Sequence, residues 1–207
     1  REGDWRGLYP AVILYRQQEK NIGLTMFHAP ERALLLTETA AFTGLIALGS
    51  WISIPFVPVP FTLQTLFVLL SGAVMKRYAL LPTGLYVLMG FIGIPVFHNG
   101  GAGLGILLGP TGGYILGFIP GACITGILFE RCERSARLLG ILLGDGCIFL
   151  CGIAWLILST GLSPSIAFLV GVLPFIPGDV VKGYAVWVIG ERLDRVNTMK
   201  REEVPGT

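Results

Sequence analysis

Six stretches of apolar sequence dominate this chain, at 33–53, 61–75, 78–97, 112–130, 137–159 and 165–190. A helix needs about 20 largely apolar residues to cross a bilayer, and these runs follow one another too closely for a water-soluble domain to form between them. Composition agrees: 53% of the 207 residues are hydrophobic and 14% are charged, with mean hydropathy +0.73. A soluble domain carries roughly 25% charged residues, enough to cover a water-facing surface. The glycines and prolines fall inside apolar runs, where neighbouring membrane helices satisfy freed backbone groups. The expectation is an all-α integral membrane protein with six transmembrane helices. The second run is short, but Pro60 and the Lys76–Arg77 pair mark its ends.

Charge placement orients the spans. The loops 54–60, 98–111 and 161–164 contain no Lys, Arg, Asp or Glu. The alternate loops hold Lys76 and Arg77, then Arg131, Arg134 and Arg137, and the tail holds Arg192, Arg195, Lys200 and Arg201. Basic residues collect on the cytoplasmic side, so both termini are expected there. The organisation reads as an N-terminal polar segment at 1–32, a membrane domain at 33–193 and a cytoplasmic tail at 194–207. The glycine-rich loop 98–111 is mildly apolar, and a segment folded against the helices is expected there.

No nucleotide-binding or hydrolase motif stands out. GAGLG at 101–105 lacks the third glycine of a dinucleotide fingerprint, and no Walker A sequence occurs. His98 stands without partners at metal-ligand spacing, and no Ser-His-Asp or Cys-His arrangement is arguable. Cys147 and Cys151 share a helix face and read as small packing residues. Small residues recur every fourth position at Gly113, Gly117, Gly121 and Thr125, at Gly140 and Gly144, and at Ala40 and Gly44. Such spacing lets helices approach closely. Internal packing is expected for the first two groups, and docking to another membrane protein for the third.

Ionisable groups at depth in a membrane are functional candidates by default, and four qualify: Glu38, Asp145, Asp179 and Lys182. Glu38 is close enough to the start of its span to reach the headgroups, and Asp145 reads as a structural hydrogen-bonding group. Asp179 and Lys182 share a helix face at i, i+3, just after Pro174 and Pro177. A helix interrupted beside a charge pair is typical of a binding site. Gln64, Asn99 and Tyr114 fall in the same outer half, with Trp51, Phe56, Phe61 and Phe97 at that level. Apolar walls with a few convergent polar groups describe a small-molecule pocket, here suited to a cyclic urea or an amide. A carboxylate-pair enzyme using Asp145 and Asp179 is the competing reading, weakened by the lysine beside Asp179.

The segments GSWISIPFVPVPFTLQTLFVLLSG (49–72), GFIGIPVFHNGGAG (90–103), GPTGGYILGF (109–118) and FIPGDVVKGY (175–184) resemble the BioY family. These are the biotin-binding S-components of energy-coupling factor (ECF) transporters. The resemblance runs from about residue 33 to 193 and implies a six-helix S-component bundle in the plasma membrane. It implies that biotin is captured from outside and delivered inward with a coupling transmembrane protein and ABC-type ATPases. Asp179 and Lys182 would bind the ureido ring, with Asn99, Gln64 and Tyr114 as further pocket residues. Ala40 and Gly44 match the small-residue motif that contacts the coupling protein. No catalytic residue, metal, cofactor or nucleic acid is implied. S-components for thiamine or riboflavin form the alternative within transport, against which PVPFTLQT and PGDVVK argue.

Overall fold

A computed structural model describes residues 29–131 and 133–202, with side chains described for 32–131 and 133–195. The polar segment 1–25, His28, Cys132 and the end of the tail therefore lie outside the described residues. The chain divides into a unit at Arg1–Leu36 and a unit at Thr37–Thr207; apart from the start of the first helix, everything that follows concerns the second.

The fold is all-helical apart from one short hairpin. Helix α1 spans Ala29–Trp51. Strands β1 (Ser53–Ile54) and β2 (Phe61–Thr62) pair antiparallel, Ser53 opposite Thr62. Then come α2 (Gln64–Met75), a 3-10 turn at Lys76–Ala79, and α3 (Leu80–Phe91). A loop follows, with a 3-10 turn at His98–Gly100 and the short helix α4 (Leu104–Leu108). Helices α5 (Gly112–Phe129) and α6 (Arg134–Thr160) come next, then α7 (Pro164–Gly171) and α8 (Ile176–Glu202).

By length and composition, four helical stretches are able to cross a membrane, or five when α7 and α8, bent by 54°, are counted as one span. That count takes Gln64–Phe91 as a single stretch of 28 residues. Gln64 nevertheless donates its side-chain amide N–H to the Tyr86 hydroxyl, 22 positions along the chain. A straight helix would hold residues so spaced about 33 Å apart. The chain therefore reverses between them, at Lys76, whose φ of 56° and ψ of −126° break the helical path. Leu142, Leu150 and Leu158 point outward from α6, 69%, 71% and 79% exposed, an apolar face suited to lipid.

Several expected boundaries shift. Residues 61 and 62 are strand, so the second run becomes helical only at Gln64. The third run stops being helical at Phe91, because Gly93 adopts φ +103° and Pro95 follows. Arg137, read as a loop residue, lies inside α6, since helix formation begins at Arg134 and carries Arg137 into a buried position. The loop 98–111 does fold against the helices: Trp155 of α6 donates its indole N–H to the Gly109 carbonyl at 3.0 Å.

Helices α5 and α6 pack along the small-residue ladder. A Cβ at Gly121 would lie 2.8 Å from the Gly144 carbonyl oxygen, and one at Gly144 would lie 2.7 Å from that of Gly121. Thr125 donates to Gly140 O at 3.1 Å across the same seam. By contrast, Ala40 and Gly44 lie on the exposed face of α1, and a Cβ at Gly44 would meet nothing within 4 Å. Cys151 packs beside Gly117, and Cys123, Cys147 and Cys151 are free thiols.

Charged ends of separate elements converge. Arg137 donates to Glu191 Oε1 at 2.7 Å and to the carboxylate of Asp194. Asp194 also binds Lys76 at 3.1 Å, and Arg77 pairs with Glu130 at 2.8 Å. The turn after α2, the end of α5, the start of α6 and the far part of α8 thus meet at one end of the bundle.

Candidate functional site

The site begins with the break between α7 and α8. Val172 to Phe175 interrupt the helical path, and α8 restarts with Asp179 in its first turn. Unpaired backbone N–H groups at a helix start favour a carboxylate. One turn later Lys182 reaches back, its Nζ 2.8 Å from Asp179 Oδ1. Both are buried, at 8% and 6% exposure, so neither charge is tolerable without the other.

Helix α2 completes the cluster. Thr65 donates its hydroxyl to Asp179 Oδ1 at 3.1 Å and accepts from Lys182 Nζ at 2.9 Å. The Lys182 ammonium also lies 4.2 Å from the centroid of the Phe61 ring, a cation–π arrangement. Phe61 stacks on Phe175 with centroids 5.9 Å apart. Gly178 is required beneath Phe61, because a Cβ there would run into the ring.

These groups open onto a cavity of about 50 Å³, lined by Gln64, Thr65, His98, Thr111, Tyr114, Phe118, Phe149, Phe175, Asp179 and Lys182 among others. Gln64 is buried at the start of α2; its Oε1 accepts from Thr62 at 3.0 Å and its amide N–H goes to Tyr86. Tyr114 donates its hydroxyl to Gly171 O at 2.9 Å, leaving its ring as wall. His98 Nε2 lies 3.2 Å from Thr111 Oγ1, and its Nδ1 is buried without a hydrogen-bond partner.

Four of the five sequence-expected pocket residues thus come together: Asp179, Lys182, Gln64 and Tyr114. Asn99 does not. It is exposed, holds the left-handed backbone conformation at φ 56°, and accepts from the Ser53 hydroxyl at 3.0 Å. An asparagine tolerates that conformation, so the residue shapes the turn that carries His98. Asp145 is outside the lining, with Oδ1 buried and without a hydrogen-bond partner, so the expected structural hydrogen bond is not found at that oxygen. Of the aromatics, Phe97 is core, packed edge-on to Tyr86 at 5.5 Å, and Trp51 is 59% exposed.

Sequence reasoning missed Thr65, His98 and Thr111. Thr65 carried a signal, a polar residue beside Gln64 within an otherwise apolar helix. His98 reads from sequence as a lone loop histidine, because its contact with Thr111 joins residues 13 positions apart. Among the described residues no group of three or more His, Cys, Asp or Glu converges on a metal site.

Comparison with known proteins places the chain in a family. The biotin transporter BioY of Thermotoga maritima is 42% identical over 163 residues, 78% of this chain and 96% of that protein. A probable biotin transporter BioY of Pyrococcus horikoshii is 39% identical over 155 residues, 74% of this chain and 92% of the relative. The fold matches, with TM-score 0.74 and 26% identity, a crystal structure of the S-component for biotin from an ECF-type ABC transporter. That match covers 82% of this chain and 95% of the other. Since the BioY family model also matches residues 23–198, the chain belongs to the BioY family.

Proposed function

We propose that the chain is the substrate-binding membrane subunit of a biotin uptake transporter. It captures biotin from outside and delivers it inward with a coupling transmembrane protein and ABC-type ATPases. The observation that carries this is the buried Asp179–Thr65–Lys182 cluster opening on an apolar cavity. A carboxylate acceptor beside an ammonium donor complements a cyclic urea, which offers N–H donors and a carbonyl acceptor. Gln64 and Tyr114 shape the pocket, and Asn99 shapes the turn that carries His98. No metal or cofactor takes part, and no nucleic acid is a partner.

A cavity of about 50 Å³ has room for a few waters, far below the roughly 300 Å³ or more of a ligand pocket. Binding therefore widens it.

The chain makes six crossings: α1, α2, α3, α5, α6 and the bent pair α7–α8. The reversal at Lys76 supports counting α2 and α3 separately. The basic residues Lys76, Arg77, Arg134 and Arg137, gathered at one end of the bundle, support a reading in which that end is cytoplasmic, with both termini inside and the cavity in the outer half of a plasma-membrane protein. Ala40 and Gly44 form the docking face for the coupling protein. Titrating the purified protein with biotin, with thermal stability as readout, tests the reading. Saturable stabilisation by biotin is expected; stabilisation by thiamine or riboflavin instead would overturn it.

A further inference from the structure

We propose that His98 is a ligand-contact residue, donating Nδ1–H to the carboxylate of bound biotin. The proposal rests on the biotin reading above. Among the described residues, His98 Nδ1 is the only buried side-chain polar atom of the cavity lining that lacks a hydrogen-bond partner. Buried polar groups are rarely left so, and an orphan in a binding cavity calls for a partner that arrives with the ligand.

The other polar side chains at issue already have partners within the protein. Asp179, Lys182 and Thr65 bind together, Gln64 is held by Thr62 and Tyr86, and the Tyr114 hydroxyl is given to Gly171. His98 is oriented by Thr111 through Nε2. When the Thr111 hydroxyl donates to Nε2, the neutral ring carries its proton on Nδ1 and is a donor there. Biotin has two polar ends, the urea and the carboxylate. The urea is matched by the Asp179–Lys182 cluster, which leaves the carboxylate for the donor on the loop.

The test titrates the purified full chain and its His98→Ala and His98→Gln variants with two ligands. One is biotin; the other is an analogue with the same bicyclic ring whose side chain ends in methyl instead of carboxylate. A hydrogen bond to a charged group supports a loss of about tenfold or more in biotin affinity for His98→Ala. Affinity for the methyl analogue is expected to change by less than about twofold on the same argument, and His98→Gln, which keeps an N–H donor, to recover part of the loss. Equal loss for both ligands in both variants, or no loss for biotin, overturns the proposal while the biotin reading stands. Wild-type protein that binds neither ligand overturns the reading and the proposal with it.

Discussion

Lys182 Nζ and Asp179 Oδ1 lie 2.8 Å apart, one turn along the same helix, and share the Thr65 hydroxyl as a common partner. Removing either charge strands the other in a buried site, which costs about 3–5 kcal/mol in comparable settings. Asp179→Asn and Lys182→Ala are each expected to weaken biotin binding by at least about a hundredfold, the equivalent of 2.7 kcal/mol. Isothermal titration checks this; variants that bind normally would make the pair structural only.

Two glycines that look alike in sequence should behave oppositely. A Cβ at Gly144 meets the Gly121 carbonyl at 2.7 Å, whereas Gly44 has open space. Gly144→Leu is expected to destabilise the protein by about 1–3 kcal/mol through overpacking, seen as a lower melting temperature. Gly44→Leu should melt like the wild type and bind biotin, yet fail to co-purify with its coupling protein.

Arg137 joins α6 to α8 through Glu191 and Asp194. Arg137→Met removes the buried guanidinium that joins Glu191 to Asp194, leaving Glu191 with the more distant Arg134 and Arg195 at 3.7 and 3.9 Å and Asp194 with Lys76 among its partners. A loss of about 3 kcal/mol is expected, measured as reduced thermal stability, while biotin affinity of the folded protein is retained.

Burial lowers the pKa of His98 below the ordinary histidine value. The folded protein therefore favours the neutral ring, and the unfolded chain binds the proton more readily. The contribution to stability is present above the unfolded value of about 6.5 and is lost as pH falls from there through the lower folded value. Glu130 shifts downward through its hydrogen bond to Arg77, so its contribution disappears only at lower pH, below the ordinary carboxylate value. Melting temperatures between pH 8 and 5.5 should fall in the wild type and fall less in His98→Gln.

Much of this was legible because lipid and water sort residues so strongly. The apolar runs located the principal helices, and the prolines before Asp179 announced the break where α8 begins. The ladder from Gly113 to Thr125 met its partners Gly140 and Gly144 because small residues are useful only where backbones touch. Other features depend on contacts between distant segments. The two-residue strands leave no periodicity, and Arg137 reads as a loop residue until Glu191 and Asp194 are brought beside it. Asn99 and His98 are neighbours in sequence, yet the positive φ at Asn99 leaves it outside the lining that takes in His98.

Biotin titration of the purified chain, followed by thermal stability, bears most directly on the proposed role. Saturable stabilisation by biotin, abolished in Asp179→Asn and Lys182→Ala, is the expected result. No response to biotin from a folded protein, or stabilisation by a different vitamin alone, would contradict it.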